Sequence, residues 1–423
     1  MITILAAIIF VVGYVFITLE HKLHTHKSAV ALALASVLWI LVAVSGIAPE
    51  LLHEHLAEAG TEVFGIIMFL LAAMTLVEVL VHYNFFDIIR NRLAKLGYTN
   101  QKLFVVIGAL TFFLSAVLDN LTITIVMIQI ARKFFKDTNL LVVAAGIVIL
   151  ANAGGAWSPI GDVTTIMIWL AGKFSAIDII REGFLPSATL ALVAGYLLKK
   201  KVVNEKPEKI QLENISLTRG EKLVAGMSLL SFIFPLLMHA IGLEPYFGLL
   251  FGLGIVWIII EYLKVNSQKY THLEANIDHM LQKTDISSLK FFAGILLSVS
   301  ALNALGVLEV LSQVLFGEHQ EINRVIFGNI IIGGLSSIVD NVPLTALAID
   351  IITATQVPLW TLLALAVGTG GSFLVIGSVS GVVAMGMVKG LTFEKYFKYA
   401  TVPAVVGYVA AIAVWFVQYQ FFK

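Results

Sequence analysis

The sequence predicts an all-α polytopic membrane protein built from inverted-topology repeats, each containing a re-entrant hairpin and a broken transmembrane helix. Three observations predict it. The chain is 59% apolar and only 13% charged over 423 residues, with a mean hydropathy of +0.95, well beyond a soluble domain of ordinary composition. Its lysines and arginines concentrate in alternate loops, and two pairs of polar interruptions recur in the same order in both halves. Net charge is zero, with 27 basic and 27 acidic residues, which removes the basic imbalance expected of a nucleic-acid partner. Cysteine is absent, so thiolate metal sites, disulfides and cysteine nucleophiles are excluded.

Apolar runs long enough to cross a bilayer occur at Ile2–Leu19, Ser28–Ala48, Val63–Val81, Phe184–Leu198, Leu223–Ile241, Tyr246–Leu263, Phe291–Leu311 and Thr401–Tyr419. The first lacks a basic leader and a clear small-residue cleavage site, so it is read as a retained span. Residues 1–60 thus form N-terminal scaffold helices, residues 61–198 a first repeat, 199–222 a cytoplasmic linker, 223–290 helices and a loop opening the second half, and 291–423 a second repeat.

Four further regions are interrupted. Leu103–Ala131 and Val325–Ala354 contain Asp-Asn, while Leu140–Gly172 and Pro358–Gly390 contain glycine-rich polar stretches. Arg90, Arg92, Lys95 and Lys102 precede the first region, and Arg132, Lys133 and Lys136 follow it. Basic loops belong on the cytoplasmic side, so Leu103–Ala131 reads as a hairpin that enters and leaves from the cytoplasm. Such backbone is tolerated at depth only where protein or a wet cavity surrounds it. With Val325–Ala354 as a second hairpin entering from outside, 23 of the 27 basic residues lie inside and the N-terminus lies outside.

The repeat is explicit. Leu114-Ser-Ala-Val-Leu-Asp-Asn-Leu-Thr-Ile-Thr-Ile125 matches Leu335-Ser-Ser-Ile-Val-Asp-Asn-Val-Pro-Leu-Thr-Ala346 at an offset of 221, with five of twelve residues identical. At an offset of 216, Gly154-Gly155 pairs with Gly370-Gly371, and Ile160-Gly161-Asp162-Val163 with Ile376-Gly377-Ser378-Val379. One hairpin opening inward and the other outward makes the two copies inverted, as in secondary transporters.

An acid near the bilayer centre costs about 2.5–3.5 kcal/mol on insertion scales, which makes Asp119 and Asp340 functional candidates. Each is followed by Asn120 or Asn341 and preceded four residues earlier by Ser115 or Ser336. Carboxylate, amide, hydroxyl and freed carbonyl oxygens suit a small hard cation, although an Asp-Asn pair also serves to cap the following helix. The segment Ala151–Thr165 puts Asn152, Asp162, Thr164 and Thr165 beside helix breakers, and Ser378 stands where the first copy has Asp162. Asp119 and Asp162 are therefore the expected cation-binding carboxylates of an asymmetric site. Glu78, Asp350 and His239 are candidates for roles around it. His53-Glu54-His55 is not a zinc helix, because Ala57 occupies the position where HExxH requires its second histidine.

At Ser115–Thr122, Asn152–Thr165 and Ser336–Ala346 the sequence resembles the NhaD-type sodium/proton antiporters of the ion transporter superfamily. The resemblance covers nearly all the chain from about Thr61. It implies ion-handling roles for Ser115, Asp119, Asn120, Asn152, Asp162, Thr164 and Thr165 in the first half and for Ser336 and Asn341 in the second. It further implies exchange of internal Na+, and of Li+, for external H+, with a transport domain moving against a scaffold. The chemistry of the residues leads to the same class: a carboxylate removed from water takes up a proton more readily, so protons and sodium compete for it. If only the neutralised site changes sides, exchange follows. The expected partners are these ions and the lipid bilayer, with a second copy of the chain as a candidate homodimer partner. No cofactor, enzymatic activity or nucleic acid is expected, and the expected location is a bacterial cytoplasmic (inner) membrane. An anion or metalloid carrier and a cation channel are the alternatives. An intramembrane aspartyl protease would need GxGD, which the segment ending in Gly161-Asp162 lacks.

Overall fold

The computed structural model describes residues 2–18, 25–205, 217–266, 269–317 and 320–421. The described residues form helices and no strand. Among the described residues, seven helices are long and apolar enough to cross a membrane, including Lys27–Val44, Pro49–His82, Tyr246–Asn266 and Ile286–Ala304. Many of their large apolar side chains remain exposed, Ile40, Ile258 and Val409 among them, as befits surfaces that meet lipid. The protein is an integral membrane protein.

The helices break where the polar interruptions occur. Asn100–Ser115 stops before Asp119 and Asn120–Phe134 starts after it; Ile322–Leu335 and Asn341–Ile351 flank Asp340 in the same manner. Asp137–Gly155 and Val163–Leu170 are separated by the first glycine-rich stretch, and Val357–Gly370 and Val379–Met387 by the second. Each restart carries the residue chemistry of a helix N-terminus. Asp119 accepts the Thr122 amide at 2.9 Å, Asp340 accepts the Val342 amide at 3.3 Å, and Ser378 accepts the Gly381 amide at 3.2 Å. Asp162 forms a capping box with Thr165.

The two halves pack equivalently at these breaks. The Ser115 hydroxyl donates to the Ala151 carbonyl at 2.7 Å, and the Ser336 hydroxyl to Val367 at 2.9 Å. These partners are related by the same offsets of 221 and 216 that relate the sequences. Glycine permits the approach: a Cβ on Gly154 would strike the Phe112 carbonyl, and one on Gly370 the Gly333 carbonyl, again at those offsets. Across the halves, Val163–Leu170 packs on Asn341–Ile351, and Val379–Met387 on Asn120–Phe134. All four helix N-termini at the breaks are therefore gathered in one region. Helices Lys27–Val44, Pro49–His82 and Ile286–Ala304 pack together beside it.

Candidate ion-binding site

A small cavity, about 40 Å³, lies where these helix N-termini converge. Its polar lining is Asp119, Asn120, Asp162, Asn341, Ser378 and Ser288, and Leu70, Met74 and Phe292 close it with apolar side chains. Among the described residues, no lysine, arginine or histidine is in that lining. Leu70 and Met74 come from Pro49–His82, and Ser288 and Phe292 from Ile286–Ala304, so the cavity lies on the seam between the broken helices and their neighbours. Its size admits a water or two, or an ion with a water.

Asp162 is 1% exposed. Its Oδ2 accepts the Thr164 hydroxyl at 3.0 Å and the Asn341 amide at 3.3 Å, so one carboxylate is held by donors from both halves. The Thr165 hydroxyl turns back to the Asp162 carbonyl at 2.8 Å, fixing the backbone beneath it. Asp119 is held by Thr122 through both the backbone amide and the hydroxyl. Both acids sit at helix starts, where the partial positive charge of the helix end favours an anion. Asn120 donates to Asn152 at 3.1 Å, and Asn152 donates in turn to Ser372 at 2.9 Å. This fully buried chain of amides ties the two broken segments together.

The residues predicted from sequence therefore divide. Asp119, Asn120, Asp162, Asn341 and Ser378 line the cavity; Asn152, Thr164 and Thr165 hold those that do. Ser115 and Ser336 do not line it, because their hydroxyls are committed to the Ala151 and Val367 carbonyls. Asp340 does not line it either: its backbone amide donates to the Tyr14 hydroxyl at 2.7 Å, which directs this turn toward the N-terminal helix Ile2–Thr18. Glu78 and His239 lie outside the lining as well, with the His239 ring against Trp169 at a centroid distance of 5.3 Å. Asp350 lines a separate cavity of about 190 Å³ together with Glu62 and Glu244.

Several residues at the site were not singled out from sequence. Ser372, Thr122 and Ser288 contribute hydroxyls nearby, and Gly368 faces the carboxylate: a Cβ there would stand 3.1 Å from Asp162 Oδ2. Thr122 was accessible in principle, since Asp-x-x-Thr is a capping arrangement. Gly368 occupies the position equivalent to Asn152, but only the packing reveals which side chain its bare face admits.

The family model described as "Citrate transporter" matches residues 14–368. "Sodium/proton antiporter 2" of Arabidopsis thaliana is 37% identical over 98% of this chain and 99% of its own. "Na(+)/H(+) antiporter NhaD" of Halomonas elongata is 30% identical, covering 97% and 87% of the two chains. The chain belongs to the NhaD-type sodium/proton antiporters. The NhaD relative of Vibrio cholerae is likewise 30% identical over 96% of this chain and 90% of its own, so the similarity to NhaD extends through both halves and all four helix breaks.

Proposed function

We propose that the protein exchanges cytoplasmic Na+, and Li+ as a second substrate, for external H+ by alternating access at the cavity between the breaks. Asp119 and Asp162 are the carboxylates that sodium and protons share, with Asn120, Asn341, Ser378 and Thr164 supplying or orienting neutral oxygens. The observation that carries the reading is a cavity lined, among the described residues, by two carboxylates and no basic side chain. A tricarboxylate such as the citrate in the family description would there meet negative charge and amide or hydroxyl groups in a space scaled to one ion. A small cation meets the hard oxygen donors it prefers.

The coupling follows from electrostatics. Two carboxylates without a counter-ion are costly to carry through an apolar barrier, and either sodium or protons remove that cost. A site that changes sides only when neutralised turns competition into exchange. The equivalent hydrogen bonds at offsets of 221 and 216 support reading the halves as repeats, and the basic loops on both flanks of residues 103–131 support reading them as inverted, with re-entrant hairpins at 103–131 and 325–354. The cytoplasmic concentration of basic loops supports an external N-terminus in a bacterial inner membrane.

The test is sodium-driven proton movement in proteoliposomes, with citrate as a second substrate. Alkalinisation driven by a sodium gradient and absent with a citrate gradient is expected. Citrate-driven flux without sodium-driven proton movement overturns the reading in favour of an anion carrier. Sodium flux under voltage clamp without proton movement overturns it in favour of a channel.

A further inference from the structure

A second polar region lies at the other end of the helix that Asp119 begins. Helix Asn120–Phe134 ends in Arg132 and Lys133. Beside that end, Pro49–His82 gives way through a short turn to Phe85–Lys95. Phe85–Lys95 buries Phe86 and Leu93 and carries Arg90, Arg92 and Lys95, the make-up of a helix that lies along a membrane surface. Between these elements is a cavity of about 500 Å³.

Its lining is of two kinds. Arg90, Arg132 and Lys133 give it three cations, against the single carboxylate of Asp87, which Arg90 pairs at 2.8 Å. Among the described residues, neither Arg132 nor Lys133 is in an ion pair. The rest of the lining is Gln129 and the apolar Val81, Phe86, Val126 and Ile130, the last three within one or two helical turns of the cations. Complementing a helix C-terminus explains basic residues in its last turn, but not a cavity of this volume with apolar side chains beside the cations.

We propose that this cavity binds an anionic phospholipid, the phosphate against Arg132, Lys133 and Arg90 and the start of an acyl chain along Val81, Phe86, Val126 and Ile130. Basic pockets between membrane helices on the face where basic loops cluster suit such headgroups. A free phosphate would use the same cations; the apolar lining residues and the adjoining surface helix favour the lipid. The bound headgroup would brace the far end of the helix whose first residue follows Asp119, so anionic lipid would raise exchange turnover. That effect on transport rests on the function proposed above, whereas the binding does not.

The experiment is native mass spectrometry of the purified full chain, equilibrated separately with phosphatidylglycerol, phosphatidylcholine and inorganic phosphate. Retention of phosphatidylglycerol is expected in the wild type and, as a control for general surface charge, in Arg92→Gln/Lys95→Gln. Arg132→Gln/Lys133→Gln should bind it about thirtyfold more weakly, the change that about 1 kcal/mol per basic residue converts to. Equal retention by Arg132→Gln/Lys133→Gln, equal retention of phosphatidylcholine by the wild type, or displacement of phosphatidylglycerol by millimolar inorganic phosphate would each overturn the assignment. Because this readout needs no transport, it is separate from any failure of sodium-driven exchange.

Discussion

Replacing Asp162 by Asn changes charge with little change of shape, at a carboxylate 1% exposed and held by Thr164 and Asn341. If the side-chain amide keeps its oxygen toward those two donors, both hydrogen bonds survive as neutral ones. Each then weakens by roughly 1 kcal/mol relative to a charged acceptor, a loss of about 2 kcal/mol. Relief of the cost of burying a charge acts in the opposite direction, so the variant should insert and melt close to the wild type. Sodium binding should behave differently. A ligand at 100 times its dissociation constant stabilises the folded state by about 2.7 kcal/mol, and the wild type should gain this order of stabilisation from saturating sodium. For one shared proton, the sodium dissociation constant of the wild type should approach a tenfold rise for each unit by which pH falls below the site's apparent pKa. Asp162→Asn should lose sodium-dependent stabilisation at every pH, together with sodium-driven proton movement. The assay is thermal unfolding of purified protein across a sodium titration at several pH values, paired with exchange in proteoliposomes. A correctly inserted variant that keeps wild-type sodium stabilisation and exchange would refute the assignment of Asp162.

Asp119→Asn should also abolish exchange, with a melting shift under about 1 kcal/mol because Asn caps a helix nearly as well as Asp; exchange at the wild-type rate would remove Asp119 from the site. Asp340→Asn should retain most exchange, since Asp340 lies outside the cavity lining and its turn is tied to Tyr14; complete loss in proteoliposomes would mean that the second-half acid handles the ion. Gly368→Ala puts a methyl group 3.1 Å from Asp162 Oδ2, and should raise the sodium half-saturation constant at an overpacking cost of about 1–3 kcal/mol. An unchanged constant in initial-rate measurements would show that the carboxylate does not need that space. Because the chain has no cysteine, single replacements of Lys95, Lys136, Ala57 and Glu321 by Cys can be labelled cleanly. Lys95→Cys and Lys136→Cys should react from one side of the membrane and Ala57→Cys and Glu321→Cys from the other, and labelling of the first two from opposite sides would make residues 103–131 a simple span.

The helix breaks were legible because their causes are local. Asp119 and Asp340 cap the helices that follow, and Gly154, Gly155, Gly370 and Gly371 stand where no Cβ fits. A pattern that halts an apolar run with capping residues and glycine can be read without tertiary information. The equal treatment of the two Asp-Asn pairs was less secure. Sequence symmetry gave Asp340 the role of Asp119, but a hydrogen bond donated by Asp340 to a residue 326 positions away belongs to packing that no local pattern encodes. Ser115 and Ser336 show the same limit in another form. Their recurrence was visible, while the commitment of both hydroxyls to backbone carbonyls of a neighbouring helix depends on which helix lies alongside. The apolar wall from Leu70, Met74 and Phe292 was hidden among many similar residues of long membrane helices, since composition cannot say which face of such a helix meets the seam.

The residues at which the halves differ matter as much as those at which they agree. Equivalent hydroxyl latches and equivalent glycine contacts give both halves the same backbone at the breaks. On that shared backbone, Asp162 is matched by Ser378 and Asn152 by Gly368. Had both positions kept an acid, the cavity would gather three carboxylates, and sodium alone would leave two charges uncompensated. With Ser378 the second half supplies a hydroxyl, Asn341 supplies an amide donor to Asp162, and Gly368 supplies the space beside it. The lining then holds two carboxylates, so one sodium leaves a single negative charge, to be offset by the helix dipoles. Two protons leave none. A charge difference between the sodium-loaded and proton-loaded sites makes the exchange sensitive to membrane potential, at about 2.3 kcal/mol per elementary charge per 100 mV. Proteoliposomes clamped at opposite potentials should therefore exchange at different rates, and Ser378→Asp should change that voltage dependence if the mismatch between the halves sets the charge carried. Equal rates at both potentials in the wild type would instead require the sodium-loaded and proton-loaded sites to carry the same charge.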